Sequence, residues 1–117
     1  MRLSKRHQAL EERIFEDLEE FGYRYTSGSG NKLGDADVKP TSSHQGELEF
    51  SFECKDRPSQ RHHGVPAADW KKAKQQILSS GYDPAFVTRN SEGEILVHIQ
   101  WNDFLLLLNH IYESPTI

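Results

Sequence analysis

The ten residues from Glu47 to Asp56 read ELEFSFECKD, and every second residue from Leu48 to Cys54 is apolar. Side chains of a β-strand alternate between its two faces, so this pattern predicts a strand with one buried and one polar face. Glu53 and Lys55 end the polar face, which they share because they are two residues apart. A carboxylate and an ammonium placed in this way are either a surface ion pair or part of a functional site.

The size and composition of the chain predict one domain over residues 1–117. A domain of this size buries roughly two thirds of its unfolded surface and needs no disulfide. The lone cysteine, Cys54, excludes an intramolecular disulfide and fits a reducing compartment. The N-terminus lacks the apolar region of a signal peptide, and the longest apolar run, 104–108, is too short to cross a bilayer. We therefore expect a cytoplasmic protein (host cytoplasm if viral) with no membrane partner.

The pattern of apolar, turn and β-branched residues predicts the element order αβββαββα. The elements are a helix over 4–21, strands over 23–26, 36–39 and 47–55, a helix over 66–80, strands over 85–89 and 95–99, and a helix over 101–112. Pro66 suits the first turn of the second helix, and Gly81 suits its end. Helices that alternate with short strands are typical of an α/β (α+β) fold, with helices packed on a sheet.

An acid two residues before a lysine occurs three times, in Asp37-Val-Lys39, Glu53-Cys-Lys55 and Asp69-Trp-Lys71. The composition alone predicts about one occurrence, so the motif needs structural context. Asp69 and Lys71 lie in a predicted helix, where residues i and i+2 point apart. Glu53 and Lys55 lie at the C-terminal end of a predicted strand, where functional sites collect in α/β sheets.

Asp37 begins the preceding predicted strand, and a hairpin between the two strands can bring it beside Glu53. Two carboxylates hold a hard divalent cation, which prefers oxygen ligands. A nearby lysine can orient the attacking water, which is the arrangement for metal-assisted hydrolysis of a phosphodiester. Asp35 competes with Asp37 for this role, and the strand-like Val38 favours Asp37.

The first predicted helix carries one carboxylate on its apolar side. At 100° per residue from Leu18, Glu11 falls at about +20°, among the apolar residues, whereas the other glutamates fall on the solvent side. A glutamate that faces the core is costly unless it is paired or binds a metal. Glu11 therefore needs a partner, which Lys55 or the metal site would provide.

The segments GSG, GDADV, FECK and W(x)5QI(x)3GYDPAFV together resemble the PD-(D/E)xK nuclease superfamily over roughly residues 5–108. The chain is most similar to small archaeal and phage Holliday-junction resolvase-like endonucleases. The resemblance implies a restriction-endonuclease-like mixed sheet flanked by helices, an Mg²⁺- or Mn²⁺-dependent endonuclease activity on DNA, and a role in resolving branched DNA. It assigns catalysis to Glu11, Asp37, Glu53 and Lys55, with the first three as metal ligands, and an accessory role to Gln76.

DNA binding by a chain of net charge −4 requires a local basic surface. Six basic and two acidic residues lie between 55 and 76, whereas the acids concentrate between 11 and 20. The predicted DNA contacts are Ser29 and Lys32 in the glycine-rich loop and Arg57, Arg61, Lys71 and Lys72. Basic residues on a helix are often a solvated face, so a non-catalytic nucleic-acid-binding module and an exonuclease remain alternative hypotheses.

Two further patterns carry expectations. His62 and His63 lack a second pair at zinc-ligand spacing, so we interpret them as part of a solvated loop. We assign Trp70, Phe86 and Trp101 to the core. The run FLLLL at 104–108 covers every side of its predicted helix, and a helix on a sheet hides only one stripe. We therefore expect a homodimer that buries part of the C-terminal helix.

Overall fold

The structure is a computed structural model that describes residues 9–25, 38–40 and 48–113. Within these ranges the chain forms three α-helices and five β-strands. In chain order they are α1 (Leu10–Leu18, continued by a 3₁₀ turn, Glu19–Phe21), β1 (Tyr23–Tyr25), β2 (Val38–Pro40), β3 (Phe50–Asp56), α2 (Ala67–Ser79), β4 (Asp83–Arg89), β5 (Ile95–Ile99) and α3 (Trp101–Glu113).

The described strands form one mixed sheet in the order β1-β2-β3-β4-β5. β3 and β4 are parallel, and the other neighbouring pairs are antiparallel. Parallel neighbours need a crossover connection, and α2 lies in the connection between β3 and β4. The prediction of a mixed α and β architecture with helices packed on a sheet is therefore confirmed.

The ends of the elements differ in places from the sequence-based prediction. β3 begins at Phe50 and not at residue 47, and just before it the Glu49 backbone N–H donates to the Asp83 carboxylate, with an N–O distance of 2.8 Å. β4 begins at Asp83, two residues before the predicted start. The predicted start of the first helix at residue 4 and the predicted start of the second strand at residue 36 lie outside the described residues.

One face of the sheet, here the α1 face, holds the main apolar core. Leu10 and Ile14 are four residues apart on α1, and they pack against Val38, Cys54 and Val87 from three neighbouring strands. Cys54 is buried and is a free thiol, as the alternation in β3 predicts. The core under α1 therefore draws on β2, β3 and β4, and the half-buried Ile95 of β5 packs against it.

The opposite face, here the α2 face, is covered by α2. Ala73 and Ile77 of this helix are buried, and the Trp70 ring lies 6.2 Å from the ring of Phe86 on β4. The helix ends where Gly81 adopts φ 85°, a left-handed conformation that glycine reaches without steric cost. Trp70 and Phe86 are thus packed together on this face, as predicted.

Trp101 is not a core residue, because 69% of its surface is exposed on α3. The prediction failed because apolar character alone does not say which side of a helix meets the sheet. None of the helices in the ranges 9–25, 38–40 and 48–113 has the length and apolar character needed to cross a membrane.

Candidate active site

Glu53 and Lys55 lie on the α2 face of the sheet. In the parallel register, Glu53 is paired with Phe86 and Lys55 with Thr88. Their neighbour Cys54 points into the core on the α1 face, so the strand alternation sends both charged side chains toward α2. The predicted shared face of this acid and lysine is therefore confirmed.

A cleft of about 250 Å³ opens between β3 and α2. It is lined by Glu53, Lys55, Asp69, Lys72, Ala73, Gln76 and Phe86. Two carboxylates, two ammonium groups and one amide thus surround a floor that includes the buried Phe86. A concave site with a few convergent polar groups has the form of a ligand-binding or catalytic site.

The α2 side of the cleft is one stripe of the helix. Its four lining residues, Asp69, Lys72, Ala73 and Gln76, follow the spacing i, i+3, i+4, i+7, which places them on one face. Lys71 and Lys74 fall about 150° from the centre of this stripe at 100° per residue. Of the lysines on α2, Lys72 alone lines the described cleft.

The acid and the lysine of β3 interact at moderate distance. Lys55 Nζ lies 3.9 Å from Glu53 Oε1, which is longer than a hydrogen bond. The Glu53 side chain is 14% exposed and that of Lys55 is 43% exposed. The ammonium is therefore near the carboxylate and keeps donor capacity for a ligand in the cleft.

Asp69 was not identified as a site residue from the sequence, although it lines the cleft. Its Oδ2 lies 3.8 Å from Nη2 of Arg57, a residue in the loop that follows β3. The i, i+3, i+4, i+7 spacing of the α2 stripe was the available sequence signal, because it links Asp69 to Lys72 and Gln76. The cleft thus has a carboxylate on each wall.

The structure does not bring every predicted residue into this cleft. Glu11 is half-buried on α1, the helix on the opposite face of the sheet, and it does not line the cleft. Arg61 is exposed in the loop before α2. The predicted positions Ser29, Lys32, Asp35 and Asp37 lie outside the described residues.

The metal centre that the sequence resemblance implies is described only in part. Among residues 9–25, 38–40 and 48–113, no three His, Cys, Asp or Glu side chains form a group that could hold a metal ion. Glu53 supplies carboxylate oxygens, the ligand type that Mg²⁺ and Mn²⁺ prefer. Val38 of β2 pairs with Phe52 of β3. In the sequence, Asp37 directly precedes Val38 and Glu53 directly follows Phe52.

The loop over 57–66 connects the two walls of the cleft and is tied to the β4–β5 end of the sheet. The Arg57 N–H donates to the Arg89 carbonyl at 2.8 Å, and the Ser91 N–H donates to the Gln60 carbonyl at 2.7 Å. The Asn90 side-chain amide donates to the Arg61 carbonyl at 2.8 Å. These bonds fix the path of the chain between Lys55 and α2.

His63 anchors the same loop and is half-buried, so it is not the solvated residue predicted from sequence. Its Nδ1 lies 2.7 Å from the buried Thr88 hydroxyl, which lies 2.9 Å from Nε2 of His98. Its Nε2 lies 3.2 Å from Glu94 Oε1. Because a carboxylate only accepts, neutral His63 carries its proton on Nε2, accepts from Thr88, and leaves the Thr88 oxygen to accept from His98.

Comparisons of the chain with protein-family models, with curated proteins and with solved structures gave no match.

The hydrogen-bonded side chains of His63, Thr88 and His98 should make the folded protein less stable in acid. Burial, and then the charge of His63, lowers the pKa of His98 below its ordinary value of 6.5. Below about pH 6.5 the unfolded chain takes up a proton at this site more readily than the folded protein does. The contribution of His98 is thus present above that pH and is lost as pH falls through the folded pKa.

Urea unfolding between about pH 7.5 and 5 measures this effect. We expect His98→Gln to have a shallower decline of the unfolding free energy than the wild type. The exposed His62 provides the matched control, and His62→Gln should keep the wild-type decline. A decline of equal steepness in wild type and His98→Gln would contradict the prediction.

Proposed function

We propose that this protein is a metal-dependent DNA endonuclease that hydrolyses phosphodiester bonds in branched or otherwise non-standard DNA. One observation carries the proposal. Glu53, Lys55, Lys72 and Gln76, each singled out from the sequence for this chemistry, line one cleft. The mixed sheet with α1 and α2 on opposite faces supports a restriction-endonuclease-like fold with the order αβββαββα.

The proposed metal ligands are Glu53 and Asp37, which bind Mg²⁺ or Mn²⁺ through carboxylate oxygens. The sequence resemblance also implies Glu11, which lies on α1 on the opposite face of the sheet. The bound cation supplies Lewis-acid activation of the phosphate and of water. Among the described residues of this set, Glu53 lines the cleft. Lys55 orients the attacking water and stabilises charge on the scissile phosphate. Gln76, on the α2 wall, contacts a group of the substrate bound in the cleft.

The proposed DNA surface extends from the cleft along the loop before α2. Lys72 contacts a backbone phosphate inside the cleft, and Arg57 and Arg61 contact phosphates on the loop side. Ser29 and Lys32 complete the proposed set, and Lys71, also predicted from the sequence, projects from the far side of α2. Such contacts bind all sequences alike, because phosphates carry no sequence information directly.

Cleavage assays distinguish the proposed activity from its two alternatives. The protein should nick covalently closed circular DNA and end-blocked four-way junctions in Mn²⁺, since an endonuclease needs no free end. Activity on linear DNA with free ends alone would identify an exonuclease. DNA binding without cleavage, and without divalent-metal binding by calorimetry, would identify a non-catalytic module.

The catalytic prediction concerns the two proposed metal-binding carboxylates and the lysine beside them. We expect Glu53→Gln, Lys55→Ala and Asp37→Asn each to lower the cleavage rate by at least about 10²-fold, the usual cost of removing a charge that acts in the transition state. Single-turnover cleavage of a junction in Mn²⁺ measures the rate, and circular dichroism checks the fold. Wild-type cleavage by any two of these variants would refute the assignment.

A separate prediction tests Glu11, which lies on α1 away from the described cleft. If Glu11 is a metal ligand, Glu11→Gln should lose activity by orders of magnitude and show weaker Mn²⁺ binding in calorimetry. The exposed neighbours provide controls, because Glu12→Gln and Glu16→Gln should remain near normal. Equal activity in all three variants would make Glu11 a structural residue.

The two adjacent lysines of α2 form a matched pair for the DNA prediction. Lys72 lines the cleft, whereas Lys71 projects from the far side of the helix. Lys72→Ala should weaken junction binding and reduce the salt dependence by about one unit of slope, as expected for one lost phosphate contact. Fluorescence anisotropy across a salt series, in Ca²⁺ to prevent cleavage, measures both effects.

Lys71→Ala should change the slope less than Lys72→Ala, although both variants lose the same charge. An equal effect of the two variants would mean that the far side of α2 binds DNA as well as the cleft does. That result would contradict the placement of the substrate.

A further inference from the structure

Arg57, in the loop that follows β3, has a largely buried guanidinium with an unsatisfied donor. Its side chain is 21% exposed, and among the described residues no acceptor reaches its enclosed Nε. Its Nη2 lies 3.8 Å from Oδ2 of Asp69, which is too long for a hydrogen bond. A guanidinium has five N–H donors, and a buried charge is costly unless it is paired and hydrogen-bonded. The arrangement therefore favours an anionic ligand that supplies the missing acceptors.

The backbone of Arg57 is fixed, whereas its side chain has one charged contact. The Arg57 N–H donates to the Arg89 carbonyl, and the Arg57 carbonyl accepts from the Gln60 N–H at 3.1 Å. Pro58, the next residue, has a locked φ. A long side chain keeps its rotamer freedom even on a fixed backbone. Within the described ranges the ion-pair partner of the guanidinium is Asp69, so this carboxylate governs where the charge lies.

The two walls of the cleft repeat the same arrangement of charges. On the β3 wall Glu53 lies 3.9 Å from the Lys55 ammonium, and on the α2 wall Asp69 lies 3.8 Å from the Arg57 guanidinium. At these distances each carboxylate attracts its cation without occupying a donor. A carboxylate alone in a cleft for DNA would only repel phosphates. The presence of Asp69 there is therefore explained by what it does to Arg57.

We propose that Asp69 is a positioning residue, which holds the Arg57 guanidinium at the edge of the cleft so that it binds a DNA phosphate. The proposal rests on the proposed function of the cleft. A guanidinium is planar and can donate two parallel hydrogen bonds to a phosphate, so its orientation matters as much as its charge. Asp69 also lies in the first turn of α2, where an acid stabilises a helix, and that role alone does not involve Arg57.

A double-mutant cycle of Asp69 and Arg57 tests the proposal. Fluorescence anisotropy in Ca²⁺ measures the affinity for a four-way junction in wild type, Asp69→Asn, Arg57→Gln and the double variant. Asp69→Asn removes a negative charge, so electrostatics alone would tighten DNA binding. We expect it to weaken binding by about threefold or more when Arg57 is present, and to lose this effect in the Arg57→Gln background.

Two further variants separate the contact from helix stability and from net charge. Asp69→Glu keeps an acid in the first turn of α2 and beside Arg57, so it should retain most of the affinity. Glu12→Gln removes the same charge at an exposed position of α1 and should bind like the wild type. Tighter binding by Asp69→Asn, or an equal effect with and without Arg57, would overturn the proposal.

A measurement without DNA separates the failure of this proposal from the failure of the proposed nuclease. The Arg57 Nε–H should exchange slowly with solvent while the guanidinium stays enclosed, and Asp69→Asn should speed this exchange in NMR of the isotope-labelled protein. Unchanged exchange would overturn the positioning role, whether or not DNA binds. A wild type that binds no DNA would instead overturn the phosphate contact together with the proposed function.

Discussion

The parallel pairing of β3 with β4 is the constraint on which the rest of the structure depends. Parallel neighbours need a crossover, and the crossover helix α2 covers one face of the sheet. The register that pairs Glu53 with Phe86 turns Glu53 and Lys55 toward that helix. A slip of one residue would send Cys54 into the cleft and Glu53 into the apolar core, so core and cleft enforce the same register.

The loop over 57–66 sets the width of the cleft, since it joins the strand wall to the helix wall. Asp56, the last residue of β3 before the loop, binds the Arg89 guanidinium through Oδ1, with an Nε–Oδ1 distance of 3.2 Å, and His63 near the end of the loop binds Thr88. Both anchors are on β4, the strand whose Phe86 forms part of the cleft floor. β4 therefore supports both the β3 wall and the α2 wall of the cleft.

Much of the fold could be predicted because period-two and period-3.6 patterns are local properties of the chain. The alternation in β3 correctly predicted that Glu53 and Lys55 share a face, and the i, i+4 spacing of Leu10 and Ile14 on α1 matches their burial in the core. The role of Asp69 depends on how α2 rotates against the sheet, and the anchoring of His63 depends on Thr88, which is 25 residues away in sequence. Trp101 was misplaced because hydrophobicity does not say which side of a helix meets the sheet.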